Sequence, residues 1–250
     1  MKFEKLTLEL NDSKDGYIVT ACEKDAVEVQ IPQKVDGLPV RAVGGRAFED
    51  CNELRSVIFP ENGIEAFIEN EMFKEIGEYA FSGCIALQSV EIPNGTWSIG
   101  YGAFYGCESL KSAQFEWGVF IGPYAFAQCE KLKEVSEIGS VSEGAFSNCI
   151  SLEKFPVGSA ATEISEDAFE HCYALKEIVI PASVKRIESL AFRGCRGLKR
   201  VIFEDPNGWF VEFRYAGFDD RALDLTDPLK NAEMLSRQDF DDGIITWYKK

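Results

Sequence analysis

The sequence predicts a solenoid of stacked coils. Short parallel strands occupy one face, and single 3₁₀ or short helical turns and loops occupy the other. Three periodic observations predict it. Ala-Phe recurs seven times in register with a cysteine, ending at Phe48, Phe81, Phe104, Phe126, Phe146, Phe169 and Phe192. Three residues after each Phe stands a cysteine: Cys51, Cys84, Cys107, Cys129, Cys149, Cys172 and Cys195. Three residues after each cysteine stands a leucine: Leu54, Leu87, Leu110, Leu132, Leu152, Leu175 and Leu198.

Each part of the unit has a physical reading. Ala-Phe-x-x-Cys has the i, i+3 spacing of one helical turn, with Phe and Cys on one side. Leucine and the apolar residues that follow it, as in Leu87, Val90 and Ile92 or Leu175, Ile178 and Ile180, make a short strand with its apolar side inward. Proline then ends the pairing at Pro93 and Pro181. Ile-Gly, as at Gly77, Gly100 and Gly122, reads as a repeat turn. One unit cannot bury its apolar face alone, so copies stack. The Phe and Cys residues should then form ladders on the inner wall opposite the strands.

The Phe-to-Phe intervals are 33, 23, 22, 20, 23 and 23 residues. The long first interval holds an insertion near 61–75. It carries Phe67, Ile68, Met72 and Phe73 among glutamates and predicts a hairpin or short helix with one buried side. Lengthening a loop costs little, and per-repeat insertions often mark the binding face. The 20-residue unit around Ser136–Val141 has lost its proline and predicts a tighter coil.

The pattern resembles the BspA-like leucine-rich-repeat family, whose units are about 23 residues long. The resemblance covers Val40 to Phe203 as clear repeats. It extends more weakly to Val27-Glu28-Val29-Gln30-Ile31-Pro32 and Asp36-Gly37-Leu38-Pro39-Val40. It implies a right-handed leucine-rich-repeat solenoid that binds proteins or surfaces, often in bacteria associated with animal hosts. No catalytic residues carry over from it.

An array needs closed ends. Residues 1–40 predict a β N-terminal cap, with strands at Leu6–Leu10 and Tyr17–Ala21 around a turn at 11–16. Repeats fill 41–203, and 204–250 predicts a partly helical C-terminal cap, so 1–250 reads as a single solenoid domain. The C-terminal helix starts with Thr226 or Asp227 at the N-cap and Pro228 in the first turn. Phe240, Ile244, Ile245 and Trp247 should pack back on the last coil.

The net charge of −16 argues against a nucleic-acid or anionic-membrane partner, which needs a basic footprint. No stretch approaches the ~20 apolar residues of a membrane span. The first residues lack a secretory signal, so the chain as it stands is expected to be cytoplasmic; trimming of a leader would place it at the cell surface or outside the cell.

Catalytic chemistry finds little support. There is no Cys-x-x-Cys pair and His171 is the sole histidine, which removes a zinc reading. The cysteines are expected to be reduced and buried, as small hydrophobes. His171 adjoins Cys172, but adjacent residues on a helical turn do not face each other. His171 shares its repeat position with Asp50, Gly83, Gly106, Gln128, Asn148 and Gly194, an exposed column by expectation. The acidic clusters Asp219-Asp220 and Asp239-x-Asp241-Asp242 lack calcium-loop spacing. No enzyme, cofactor or metal is predicted.

The informative columns lie on the strand face. Beside it run Arg55, Gln88, Lys111, Lys133, Glu153, Lys176 and Lys199, mostly basic in an acidic chain. The outward strand positions include Glu134, Lys154, Glu177 and Arg200. The candidate binding residues are therefore Lys111, Lys133, Glu134, Lys154, Lys176, Glu177, Lys199 and Arg200, presented to a protein or glycan partner by a monomer or weak oligomer. The alternative is a structural solenoid that self-associates through Trp97, Trp117, Trp209 and Trp247, all expected to be exposed.

Overall fold

The computed structural model describes residues 2–61, 72–116, 118–213, 217–219, 224–236 and 245–249. Phe67, Ile68, Trp117, Phe240, Ile244, Asp220, Asp239, Asp241 and Asp242 lie outside them. The N-terminal strands are β1 (Lys2–Phe3), β2 (Leu6–Leu10) and β3 (Tyr17–Cys22). Next come β4 (Glu28–Gln30), β5 (Lys34–Val35), β6 (Leu38–Val43), β7 (Ser56–Ile58), β8 (Glu75–Ile76), β9 (Ser89–Glu91) and β10 (Ser98–Ile99). They are followed by β11 (Ser112–Gln114), β12 (Phe120–Ile121), β13 (Glu134–Val135), β14 (Glu163–Ile164), β15 (Glu177–Ile180), β16 (Arg186–Ile187) and β17 (Arg200–Phe203). The chain ends with β18 (Trp209–Phe213), β19 (Gly217–Asp219), α1 (Pro228–Ser236) and β20 (Ile245–Lys249).

The strands stack in two parallel ladders around a solenoid of about eight turns. The first ladder uses the Leu-x-x-Val segments. Its buried residues align as Val29 with Val57, Val90 with Ala113 and Val135, and Ile178 with Val201. The second ladder uses the residues before the repeat glycines and, in the later coils, before Ser142, Ser165 and Glu188. There Val43, Ile76, Ile99 and Ile121 align, and further on Val141, Ile164 and Ile187. The isoleucine before each of Gly77, Gly100 and Gly122 ends a two-residue strand, and the glycine leaves it for the turn. At the proline-less coil the pairing thins to single bridges, Ile138 with Val157 and Val141 with Ile164.

The glycine has a steric reason. A Cβ on Gly77 would lie 2.6 Å from the Gly45 nitrogen, and one on Gly100 2.8 Å from the Gly77 carbonyl carbon. A Cβ on Gly122 would lie 2.8 Å from the Gly100 carbonyl carbon. The coils approach closely here, and no side chain fits between them.

The Ala-Phe-x-x-Cys segments form a third hydrogen-bonded wall. Within a coil, Cys84 N–H donates to the Phe81 carbonyl at 3.2 Å; between coils, Phe81 N–H donates to Ala103 O at 2.7 Å. These are successive three-residue turns that a left-handed residue interrupts before they become a helix. That residue is the His171 column, where Asp50, Gln128, Asn148 and His171 take φ of 55–60° and Gly83, Gly106 and Gly194 take 70–72°. The column is filled by Gly, Asn, Asp and other polar residues because the left-handed region is unfavourable for most L-residues.

The core is a ladder of phenylalanines. From Phe48 to Phe192 neighbouring rings stack with centroids 4.6–5.9 Å apart, and all seven are fully buried. The cysteines lie beside them, unbridged and buried. Each thiol from Cys84 to Cys195 donates to the Phe carbonyl of the preceding coil at 3.0–3.2 Å. The thiols are therefore more than small hydrophobes: each joins two coils through a weak hydrogen bond. Burial pushes all six of these thiols above their ordinary value, Cys195 to about 12. A neutral, buried thiol is a poor nucleophile. Protein kept reduced should therefore show few reactive thiols when native and eight after denaturation; fast labelling of the native repeat cysteines would contradict this packing.

The ends differ from the repeats. β2 and β3 form an antiparallel hairpin, and β3 then pairs parallel with β6. Arg41, largely buried, reaches back to the hairpin turn and pairs with Asp15 at 3.2 Å. At the other end α1 lies against β17. Asp227 Oδ1 accepts the Leu229 N–H at 3.0 Å as N-cap. The buried Asn231 side chain donates to the carbonyls of Val201 and Leu225, each at 3.0 Å. β20 closes the second ladder by pairing antiparallel with β16. Inside the insertion, Phe73 is buried and meets Phe59 edge-on at 5.5 Å.

Candidate functional site

The outward positions of the first ladder stack in register because the strands pair without slip. Ser89, Ser112 and Glu134 align, as do Lys154, Glu177 and Arg200. The flanking column is hydrogen-bonded in two runs. Lys111 N–H donates to Gln88 O, Lys133 N–H to Lys111 O, Lys176 N–H to Glu153 O and Lys199 N–H to Lys176 O, at 2.8–3.4 Å. The structure therefore brings all eight candidate residues onto one face, in two neighbouring columns.

Part of that charge is paired locally. Lys176 meets Glu153 at 2.9 Å and Arg200 meets Glu177 at 2.7 Å. The Lys176 ammonium holds the Glu153 carboxyl below its usual range. Such exposed pairs contribute at most about 1 kcal/mol. Lys111 Nζ makes only a 3.4 Å hydrogen bond to Gln88. Lys133, Lys154 and Lys199 have no ion pair among the described residues. Lys133, Glu134, Glu153, Lys154 and Pro156 line a shallow depression of about 270 Å³.

A larger groove of about 610 Å³ lies on the same face toward the N-terminal coils. Its walls include Ser56, Ile58, Ser89, Glu91 and Gln114, with Pro60 and Pro93 at one side. Ile58 is 59 % exposed there. Strand alternation puts Ser56, Ile58, Ser89, Glu91 and Gln114 on the outward columns, but the groove between them depends on how far neighbouring coils and their proline turns project.

Two expectations about aromatic surface are corrected. Trp209 and Trp247 are buried and not exposed for self-association, Trp247 in keeping with its packing back on the last coil. Trp209 meets Phe203 edge-on at 5.1 Å and donates its indole N–H to Asp205 O at 3.0 Å. Trp247 stacks on the other side of the same region, 6.2 Å from Phe203. They cover the core that the last coil leaves open. Trp97 is 64 % exposed, with the Lys74 ammonium 4.9 Å from its ring centre. His171 is half-buried, not fully exposed, and its ring lies 5.7 Å from Tyr173. The neighbouring Cys172 thiol points away to Phe146 O, so the two side chains do not form a catalytic pair. Among the described residues no group of three or more His, Cys, Asp or Glu is placed to hold a metal ion. No described helix is long and apolar enough to cross a membrane.

The family model for the BspA type leucine rich repeat region matches in six copies, over residues 22–74, 62–175 and 121–208. Among solved structures, the chain is similar to a leucine rich repeat protein of T. pallidum (TpLRR). The identity is 27 %, over 82 % of this chain and 83 % of that one, with a TM-score of 0.53. It is also similar in fold to a leucine-rich repeat protein of Bacteroides ovatus, at 22 % identity over 82 % of this chain and 71 % of that one, with a TM-score of 0.50. No curated protein matches the chain significantly. The repeat register, the stacked Phe and Cys ladders and the match over most of the length agree: this chain belongs to the BspA-type leucine-rich repeat family.

Proposed function

We propose that the protein is a non-enzymatic interaction module that engages a protein partner through the first-ladder face. The observation that supports this reading is the flanking column, in which Lys111 neighbours Lys133 and, past Glu153, Lys176 neighbours Lys199, standing beside outward strand residues in a chain of net charge −16. A basic stripe on an acidic body orients an acidic patch on a partner and accelerates encounter. The fold supplies rigidity, since neighbouring coils are hydrogen-bonded along the two strand ladders and the Ala-Phe wall. Little ordering entropy is then lost on binding.

The test begins with capture of a partner from the native environment. The triple charge reversal Lys111→Glu, Lys133→Glu and Lys176→Glu is then compared with the unaltered protein. All three side chains are exposed, so the circular dichroism spectrum and Tm should be retained. Affinity should fall by tenfold or more, mainly through slower association that added salt no longer weakens. Unchanged affinity would remove this face from the function.

A further inference from the structure

Cys22 stands apart from the seven repeat cysteines. It ends β3, and its N–H donates to the Ala47 carbonyl at 2.8 Å, just as the Phe48 N–H donates to Ala80 O at 2.7 Å. Cys22 thus occupies the place where a coil preceding Phe48 would carry its phenylalanine. In every later coil the cysteine thiol donates to a Phe carbonyl of the coil before, and a ring fills the adjoining space. For Cys51 that neighbour is Cys22. The two thiols lie within hydrogen-bonding reach of each other.

Access also differs. Cys22 is 8 % exposed, while Cys51 and all the other repeat cysteines are 0 % exposed. Cys107 and Cys129 are near one another too, but both are sealed in the core and both donate to Phe carbonyls at 3.2 Å. Contact with the Cys22 thiol, and next to it the Lys24 ammonium, which bonds the Glu49 carbonyl beside Cys51, lower the Cys51 thiol, while the same contact and burial raise Cys22, so the pair's thiolate resides on Cys51. A thiolate with a second thiol at contact distance, reachable from solvent at one end, is the arrangement that thiol–disulfide exchange needs.

We propose that Cys22 and Cys51 form a disulfide cross-linking site that fastens the N-terminal hairpin to the first coil when the protein meets a small-molecule disulfide. One thiolate of the pair attacks a sulfur of the oxidant. The oxidant's S–S bond breaks, one small thiolate leaves and takes up a proton, and a mixed disulfide remains on the protein. The second protein thiol loses its proton and attacks the protein sulfur of that mixed disulfide. The Cys22 Sγ–Cys51 Sγ bond forms and the second small thiol departs. Two electrons have passed from the cysteine pair to the oxidant, which ends as two thiols. The closed loop between Cys22 and Cys51 restricts the unfolded chain and so stabilises the fold.

The experiment uses the full chain, reduced, freed of reductant and incubated natively with oxidised glutathione at pH 8. It is then denatured and alkylated without reduction. Mass spectrometry should find two fewer alkylated thiols than the eight of the reduced chain, with one linked peptide joining Cys22 to Cys51. The Tm should rise by roughly 5–10 °C and return on reduction. Cys51→Ser and Cys22→Ser should each give no linked peptide and no rise in Tm. Eight alkylated thiols in the treated protein, a stable adduct without the link, or a link between any other two cysteines would overturn the proposal. An unchanged Tm in the cross-linked protein would overturn the fastening.

Discussion

Replacing Phe126 by alanine is expected to cost about 3–5 kcal/mol of stability. The ring is fully buried and lies between two others, with centroids 5.1 Å from Phe104 and 5.5 Å from Phe146, nearly parallel to both. Phe115 meets it as well, at 6.3 Å. These neighbours belong to other parts of a hydrogen-bonded stack and cannot collapse into the gap, so the cavity remains and the loss lies toward the upper end. Gln128→Ala, two residues away and exposed, should cost under about 0.5 kcal/mol, since both residues bear the same left-handed strain. Urea unfolding of the two variants checks this. Equal losses would mean that the register of the repeats is misplaced.

Gly100→Ala is expected to cost about 3 kcal/mol, although it adds a single methyl group. That methyl would sit 2.8 Å from both the Gly77 carbonyl carbon and the Glu78 nitrogen. Both are backbone atoms held by pairing of β8 with β10, so no side chain can swing aside. The coils would have to part, and the hydrogen bond from Gly100 N–H to Ile76 O, 2.8 Å long, would lengthen. A Tm lowered by less than that of an exposed-loop alanine variant would show that the coils are looser here than the geometry demands.

Much of the fold is legible in the residues because a repeat states the same requirement many times. Phe81, Phe104 and Phe126 each need a neighbour's ring, and the sequence supplies one at every 20–23 residues. The outward columns followed from strand alternation alone, so Lys111, Lys133 and Lys176 could be placed on one edge before any coordinates. What stayed hidden involves distance between coils. The second ladder is built from strands of two residues, too short for any alternation to show. The groove beside Ile58 depends on how the proline turns project, and the burial of Trp209 and Trp247 on what remains uncovered after the last coil.

The sequence by itself determined the coil: its period, its inward and outward residues, its proline stops and its buried cysteine column. These are local demands, each met within a few residues of its cause. Only the tertiary structure decided that Ile-Gly is a strand edge, that the thiols bridge coils through Phe carbonyls, and that Cys22 takes the place of a missing phenylalanine beside Cys51. Those features arise between residues more than 20 positions apart, where the constraint is the rise from one coil to the next, and no single repeat records it.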